Sequence, residues 1–566
     1  MQIGSNQRDN ASPFFDYSLR WAKAFKNKFA FKIGAQYISA KDWVANDTSD
    51  YQFRDNVSKV VEGNRYTDPN YNGVNVYGDE TSVDIRPFLA TVLPPGDTLL
   101  KTPQKVSRTG YNEKNLIDPQ TKNLKLSAAF HYKINNKLEA QIMGNWANGN
   151  TVYTGSNRYA LKDIRIGQYK VELKHRDWFL RGYTTQEDAG QAYTATAAAQ
   201  VFNELWKPSF NPNNINGSWY PQYSGAFLNA YLQGADLTSA HNIARAFADQ
   251  GMPVPGSQEF QQLYNTARKT PLPQGGLFLE KSQLWMGEGQ YNFSNSIKFA
   301  EVIIGANVKR YILDSKGTLF IDTLKPIGIN EYGAYAQVTK HLFSDYLTLS
   351  ASGRYDKNAD FKGRFTPRFT ALVKIVNNNF FRMSYQTAYR FPTNQQKYIR
   401  LNVGDYTLLG GLPWVMDYMG EKNQPIVELI NGVPSSTPYV YKEFKPESSG
   451  SFEVGYKGAI ANKLLLDAYA YWGSYKDFLG RNLLVNTATG KVYSTVINST
   501  NKVNTNGFGL GFDYLLQKNL NLFLNMYSDV ISRVPTGFQS YFNTPKYRVN
   551  AGFTSTGTGK NNRIGL

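Results

Sequence analysis

The sequence predicts an all-β fold: a transmembrane, antiparallel up-and-down β-barrel with long loops on one rim. Three observations support this prediction. Short and long gaps between strand-like segments alternate along the chain, as they do where tight turns line one rim and loops the other. Side chains within the segments alternate between apolar and polar. The segments number about 17–18 and run for about ten to thirteen residues, the length that a membrane-spanning strand needs rather than the shorter globular average.

The first predicted strands show this alternation of short and long connections. Residues 14–25 and 29–40 form two predicted strands around a turn at 26–28, and a gap of about eighty residues follows. Residues 122–132 and 138–147 then repeat the pair around a turn at 135–136. Further tight connections are predicted at 294–296, 341–345, 377–379, 460–462 and 517–518, and long ones at 186–282, 391–446 and 531–545.

Each predicted strand has one apolar and one mostly polar face. Phe15, Tyr17, Leu19 and Trp21 alternate with Asp16, Ser18, Arg20 and Ala22. Similar sets recur in 29–37, 138–146 and 520–526. A soluble sandwich with one wet face gives the same alternation in a single strand. Its repetition over many long strands favours the membrane barrel.

Composition agrees with a barrel. The 566 residues exceed one ordinary soluble core, the mean hydropathy is −0.46, and no run of about eighteen apolar residues predicts a transmembrane helix. A barrel hides its hydrophobicity by alternation. Aromatic residues make up 14% of the chain, with 39 Tyr and 34 Phe, which suits aromatic girdles at the two membrane interfaces and ordinary sheet packing alike.

Charge and chemistry-bearing residues exclude several functions. The chain has no cysteine, and its four histidines lack metal-ligand spacing, so we expect no metal site and no cofactor. The net charge is +18, but Lys and Arg are scattered, which argues against nucleic acid. Cationic rims could instead meet anionic lipid head groups, or a positive lumen could attract anionic ligands. The lumen candidates are Arg20, Lys32, Lys125, Arg382 and Arg548.

Three long connections, 48–121, 186–282 and 391–446, are expected to be folded loops, because a structureless loop of that size is uncommon in a compact domain. Residues 189–206 and 226–250 within the second are helix-like. No phosphate-binding loop and no hydrolase or zinc-protease motif is present, so we expect no enzyme. The alternating glycines of GFGLG at 507–511 indicate a bulge, a bend or close packing in the wall.

Several motifs resemble those of TonB-dependent outer-membrane receptors, in the form common in Bacteroidota. They are GRYD at 353–356 with FKGRFTPR at 361–368, YRFPT at 389–393, FKPE at 444–447 with FEVGYKG at 452–458, YTTQEDAG at 183–190, and FNTPKY at 542–547. Each motif is weak alone. In this order, on strands of the right phase, they span nearly the whole chain.

The resemblance implies a 22-stranded barrel in the Gram-negative outer membrane, closed by an N-terminal plug that contacts TonB. No signal peptide, TonB-contacting segment or plug is recognisable, and the N terminus resembles the end of a first strand. We therefore expect residues 1–566 to be the barrel domain, incomplete at both ends, of a longer gene product. The strand near Lys546 counts as the eighteenth.

The implied function is TonB-energised uptake of a scarce nutrient: a siderophore, oligosaccharide, cobalamin-like molecule or peptide. A passive structural or adhesive barrel is the alternative. Outer-membrane lipid, TonB, a small-molecule or oligosaccharide ligand and a surface lipoprotein are the expected partners. Aromatic loop residues could stack on a ligand or pack the loops together. These candidates are Trp219, Tyr220, Tyr223, Tyr406, Trp414 and Tyr418.

Overall fold

The computed structural model describes residues 2–6, 12–54, 57–155, 157–404, 406–421, 423–430, 432–556 and 563–565. Its main feature is a 20-stranded sheet. Setting aside the two-residue strand Tyr193–Thr194, the other nineteen follow one another, each antiparallel to the next. The predicted transmembrane up-and-down sheet is therefore confirmed in its topology.

The successive strands of this wall are long and regular. Their bounds are Gln2–Asn6, Ser12–Phe25, Phe29–Lys41, Gln120–Lys133, Leu138–Thr154, Arg158–His175, Trp178–Asp188, Gln283–Asn292, Glu301–Leu313, Ile327–Leu342, Leu347–Asn358, Phe361–Val376, Asn379–Arg390, Glu447–Ile460, Leu464–Lys476, Val503–Gln517, Leu520–Ser532, Arg548–Thr556 and Arg563–Gly565. Arg548–Thr556 is the eighteenth in this order, as the sequence count predicts.

The two rims differ as the gap pattern predicts. One rim, called here the turn rim, has tight connections such as 26–28 and 377–378. The opposite rim, the loop rim, carries the long segments 42–119, 189–282 and 391–446. Among the described residues, a short connection at the loop rim lies at 359–360.

The wall has an apolar outer face. Alternate side chains along the strands are exposed apolar or aromatic groups, among them Leu19, Trp21, Ile142, Val171, Leu180, Trp285, Ile304, Val308, Phe365, Phe369 and Trp472. The alternate positions of the same strands carry polar and charged groups, which line the lumen. An outer band of this kind suits lipid, as the alternation predicts.

The GFGLG segment at 507–511 is a place of close packing. A Cβ atom built on Gly509 would lie 2.2 Å from the ring of Tyr469, and one on Gly507 would lie 2.6 Å from the ring of Tyr471. Both tyrosines belong to the neighbouring strand Leu464–Lys476. The glycines therefore leave room for aromatic rings to lie flat against the wall, which selects the last of the three sequence-based readings.

Nine helices lie in the described part of the chain, all at the loop rim. They are α1 Arg86–Leu89, α2 Thr98–Lys101, α3 Glu113–Leu116, α4 Ala195–Trp206, α5 Trp219–Leu232, α6 Leu237–Ala248, α7 Gln258–Lys269, α8 Asn394–Tyr398 and α9 Pro413–Tyr418. Short 3₁₀ turns occupy Ile215–Gly217 and Phe293–Asn295. No helix in the described residues is long and apolar enough to cross a membrane.

The sequence reading of 226–250 as one helical stretch is wrong in detail. Gly234 adopts a positive φ of 89° and ends α5, and the Asp236 side chain then caps α6 by accepting from the Ser239 backbone N–H. The sequence reading also missed α7 and the hairpin Leu479–Asn486 and Val492–Asn498. That hairpin is largely buried on both faces, so its sequence lacks the regular apolar and polar alternation by which the wall strands were predicted.

Candidate ligand-binding cap

The loops of the loop rim fold into two lobes, which together we call the cap. The helical lobe consists of residues 42–119 and 189–282, and the sheet lobe of 314–326, 391–446 and 477–502. Each lobe has its own apolar core. Between them, Ala192, Leu272 and Phe278 of the helical lobe pack against Ile399, Leu401 and Leu408 of the sheet lobe.

The core of the helical lobe joins two loops that are far apart in sequence. Ile85, Leu89 and Val106 come from the first loop, and the rings of α5 come from the second. Short strands fold the first loop, namely Asp50–Arg54 with Val57–Val61, Val76–Tyr77 with Tyr111–Asn112, and Val83–Asp84 with Lys105–Val106. Shared burial of this kind makes the two loops one unit.

Two buried arginines tie these loops together. Arg108 is 2% exposed, and its Nη1 lies 3.0 Å from Glu204 Oε1, while its Nη2 donates to the Asn203 carbonyl at 3.2 Å. Arg245 donates to the carbonyls of Ser107 at 3.0 Å and Pro69 at 2.9 Å. Because both guanidinium groups also lie over aromatic rings, each buried charge is compensated.

Asp79 and His241 are among the titratable groups of the helical lobe whose pKa values are displaced. Asp79 is 1% exposed, and burial raises the pKa of its carboxyl to about 7, although Oδ2 accepts from the Gly73 backbone N–H at 3.1 Å. Burial lowers the pKa of His241 to about 4, helped by the charge of Arg245. His241 is therefore neutral near pH 7 and bonds to the Tyr223 hydroxyl at 2.9 Å.

The sheet lobe is a six-stranded sheet. In order, its strands are Arg400–Asn402, Thr407–Leu409, Val492–Asn498, Leu479–Asn486, Ile426–Ile430 and Val433–Pro438. The pairing of Thr407–Leu409 with Val492–Asn498 is parallel. The two strands of 477–502 lie between two pairs of strands from 391–446, so the two loops fold as one body.

Ion pairs anchor the sheet lobe to the wall. Arg390 ends one of the two wall strands that carry 391–446, and Glu447 begins the other. Their side chains meet at 2.8 Å between Nε and Oε1, and Glu447 Oε2 also accepts from the Leu479 backbone N–H of the sheet lobe at 3.0 Å. In α8, Lys397 is 0% exposed, and its Nζ lies 2.8 Å from Asp360 Oδ2 at a short wall connection. The Tyr398 hydroxyl donates to the same carboxylate. Asp360 thereby fixes α8 to the rim.

A cavity of about 440 Å³ lies beside the sheet lobe, between its strands and the strap formed by residues 435–444. Tyr439 and Tyr441 of the strap stand edge-to-face, 4.9 Å apart. Asn482 donates to Glu428 Oε1 at 3.2 Å. Asn482 Oδ1 and the Tyr441 hydroxyl are buried and have no hydrogen-bond partner among the described residues. The cavity wall therefore holds unused polar atoms next to aromatic faces.

The structure separates the six aromatic candidates. Trp219, Tyr220 and Tyr223 lie together in the core of the helical lobe, at most 3% exposed, where they pack against each other. Tyr406 packs partly buried against the apolar cluster between the lobes. Trp414 and Tyr418 are each 43% exposed on α9. A ligand role for any of the six stays a prediction, and only the α9 pair has open ring surface of this extent.

The lumen wall carries paired charges. Arg382 contacts Glu453 at 3.2 Å and Asp467 at 3.1 Å, and Arg548 lies 2.8 Å from Asp529. The other three lumen candidates, Arg20, Lys32 and Lys125, line one groove together and make no ion pair with a described residue. Of these five candidates, the three without an ion pair therefore lie near the first strands.

In the part of the chain that the structure describes, no group of three or more His, Cys, Asp or Glu side chains is arranged to hold a metal ion. The histidines have other contacts. His131 bonds to Glu139 at 2.7 Å, and His175 stacks on Trp178.

Comparison with known proteins identifies the fold. A family model described as "TonB dependent receptor-like, beta-barrel" matches residues 42–561. The chain belongs to this family. It is the barrel of an outer-membrane receptor of the TonB-dependent class, whose members serve nutrient uptake in Gram-negative bacteria. No curated protein matches the chain.

Solved structures share this TonB-dependent receptor fold at low identity. The siderophore receptor PirA of Pseudomonas aeruginosa has a TM-score of 0.52 at 9% identity, over 98% of this chain and 68% of its own. A variant of the ferric enterobactin receptor PfeA of the same species, bound to enterobactin, has 0.55 at 10%, over 98% and 65%. The FrpB iron transporter of Neisseria meningitidis has 0.50 at 11%, over 98% and 66%. The chain spans about two thirds of these receptors.

Proposed function

We propose that this barrel serves TonB-energised uptake of a scarce nutrient, which the cap captures before it passes through the lumen. TonB would act through a plug domain of the same receptor, and the assignment to the Bacteroidota branch rests on the sequence motifs alone. The three structural neighbours are a siderophore receptor, a ferric enterobactin receptor and an iron transporter. These neighbours support the uptake of a scarce nutrient, but they do not identify which nutrient this receptor takes up.

One observation carries the proposal: the long loops are folded bodies with buried cores, and the buried Lys397 ties the sheet lobe to Asp360 at the rim. A loop that only sealed the mouth would need no fixed internal structure. A preorganised cap holds its surface groups in one geometry, which lowers the entropic cost of binding a small molecule. Loops on a rigid scaffold are common positions for binding residues.

Among the six aromatic candidates, only the two on α9 are well exposed. Trp414 and Tyr418 are four residues apart, so they project from the same helical face. The Tyr418 hydroxyl is 3.2 Å from Thr323 Oγ1 of a neighbouring loop, which fixes the ring at the junction of two loops. We propose this pair, rather than the buried set around Trp219, as the ligand-contacting aromatics.

The experiment separates uptake from a passive or adhesive barrel. Cells that express the receptor are supplied with candidate nutrients as the limiting source of iron or carbon, with TonB present or deleted. Receptor-dependent growth that requires TonB supports the proposal. Receptor function that persists at full level without TonB supports the passive alternative.

The aromatic assignment needs a separate variant. Trp414→Ala with Tyr418→Ala should weaken ligand binding about tenfold or more, because base or ring stacking on aromatic faces contributes one to a few kcal/mol. Tyr66→Ala is the matched control, since Tyr66 is 67% exposed in the helical lobe. Equal binding by the two variants would exclude α9 as a contact surface.

A further inference from the structure

The cavity beside the sheet lobe is lined by hydrogen-bond acceptors that have spare capacity. Its buried Asn482 Oδ1 has no partner among the described residues, and the adjacent Glu428 carboxylate accepts one bond, from Asn482 itself. An amide oxygen accepts two bonds and a carboxylate about four. Buried acceptors left empty are costly, so an occupant with several O–H or N–H groups would stabilise this site.

The charge of the lining selects against anions. The charged residues around the cavity are Glu428, Lys442 and Glu443, which sum to one negative charge. Lys442 and Glu443 are exposed, and Glu443 already pairs with Lys445 at 3.0 Å. Glu428 is therefore the lining charge next to Asn482, and the carboxylates of Glu421 and Asp417 add negative charge near the Tyr441 hydroxyl. An anionic ligand such as a deprotonated catecholate would bring its charge close to these carboxylates, which is unfavourable in a partly desolvated site.

Shape and ring chemistry narrow the class further. The volume of about 440 Å³ admits a ligand of one or two six-membered rings. Tyr439 and Tyr441 offer flat apolar faces, Phe444 and Phe538 close the apolar side, and the Ser435 and Thr437 hydroxyls lie on the lining. A ring with C–H groups on its faces and hydroxyls around its edge matches both the aromatic faces and the polar acceptors.

We propose that this cavity binds an uncharged, polyhydroxylated ring of the size of a mono- or disaccharide. Its hydroxyls donate to Asn482 Oδ1 and Glu428, and the Tyr441 hydroxyl gains its missing partner. The inference deepens the proposed uptake function by assigning a ligand class to one site of the cap. Its binding test below does not depend on transport, so the two proposals fail separately.

The test uses the full receptor extracted from outer membranes in detergent. Calorimetric titration compares a panel of neutral mono- and disaccharides with glucosamine and with 2,3-dihydroxybenzoate. Saturable binding of at least one neutral sugar, with no competition from the catecholate, is the expected result. Binding of glucosamine alone would assign the site to cationic ligands, and binding of the catecholate alone would assign it to anionic ones. Either result, or no binding by any probe, overturns the proposal.

Tyr441→Phe locates the site. The removed hydroxyl has no partner among the described residues, so folding should not suffer, whereas sugar affinity should fall about three- to tenfold. Tyr264→Phe is the matched control, because it removes another buried tyrosine hydroxyl, in α7 of the helical lobe. Equal affinity of the Tyr441→Phe receptor and the unaltered one, with both folded by gel mobility, would place the sugar elsewhere.

Discussion

At the scale of single residues, buried charge holds the cap together. Arg108, Arg245 and Lys397 are each almost fully buried, and each meets carbonyl or carboxylate oxygens from a distant part of the chain. Such pairs add little net stability over apolar packing, but removal of one partner is expensive. These buried charges instead favour one arrangement of the loops, because a loop in the wrong position leaves a charge without compensation.

The pair of Lys397 and Asp360 allows a direct test. Asp360→Asn leaves the lysine charge buried, so the opening free energy of α8 should fall by about 3–5 kcal/mol. The double variant with Lys397→Met removes the charge and should recover most of that loss. Hydrogen exchange of the α8 amides measures both. Glu443→Gln breaks the exposed pair with Lys445 and should cost about 0–1 kcal/mol. A loss this small for Asp360→Asn would contradict the prediction.

Asp79 gives the helical lobe a pH dependence. Its folded pKa of about 7 exceeds the ordinary 3.8, so between these values the folded lobe holds a proton that the unfolded chain has released. Its contribution to stability therefore falls as pH rises from about 4 to 7 and is constant above. The adjacent Glu80 acts in the same sense up to about pH 8, because burial and the charge of Asp79 raise its pKa to about 8. His241 acts in the opposite sense, because its pKa is lowered and its contribution rises with pH up to about 6.5.

The comparison of Asp79→Asn with the unaltered protein leaves His241 in place and removes both the Asp79 carboxyl and its effect on the pKa of Glu80. The variant should gain stability relative to the unaltered lobe as pH rises from 5 to 8, and the difference should then level off. Hydrogen exchange of α5 and α6 amides at each pH, corrected for intrinsic exchange rates, gives the free energies. A difference that does not change between pH 5 and 7 would show that the pKa of Asp79 is ordinary.

At the scale of elements, the wall strands were predictable and the cap was not. Strand identity depends on alternation within one segment, which 14–25 and 138–147 display in their own residues. The sheet lobe depends on pairing between 391–446 and 477–502, and local sequence carries no signal for such a partner. The same reason explains the aromatic candidates. Composition marks Trp219 and Trp414 alike, and only tertiary packing buries one and exposes the other.

The tyrosine rings over wall glycines are a further element-level feature. Gly509→Ala places a methyl group within 2.2 Å of the Tyr469 ring as it stands, so the ring must move and barrel assembly should become less efficient. Gly182→Ala is the matched control, because the nearest atom to its Cβ would lie 3.8 Å away. The measurement is the fraction of receptor that shows heat-modifiable gel mobility.

The same substitution in a receptor that already carries Tyr469→Ala tests whether ring packing causes the loss of assembly. With Tyr469→Ala already present, Gly509→Ala should have little additional effect, because the ring that it displaces is gone. If Gly509→Ala impairs assembly equally with and without Tyr469, backbone conformation rather than ring packing explains the glycine.

At the scale of the whole molecule, the wall and the cap differ in their surfaces and in their expected roles. The outer face of the wall meets lipid with alternating apolar side chains, and the lumen carries both paired charges, such as Arg382 with Glu453, and the unpaired groove of Arg20, Lys32 and Lys125. We propose that the cap, whose two lobes each have an apolar core, recognises the ligand.

This difference predicts the outcome of loop trimming in the full receptor. Replacement of residues 391–446 by a short turn removes α8, α9 and four strands of the sheet lobe, and replacement of 189–282 removes α4 to α7. Arg390 and Glu447 remain as neighbours on adjacent wall strands. Barrel assembly, measured by heat-modifiable mobility, should persist, because wall pairing does not use the trimmed residues. Uptake of the nutrient should be lost in both variants.

The two trimmed receptors should nevertheless differ in sugar binding. Loss of 391–446 removes Glu428, Tyr439 and Tyr441, so binding in the cavity should disappear, whereas loss of 189–282 removes no residue of its lining. The second variant should retain sugar binding while it fails to transport, provided that the sheet lobe keeps its fold without the packing from Leu272 and Phe278. Normal uptake by both variants would place ligand capture outside the cap, on the plug or on a partner protein.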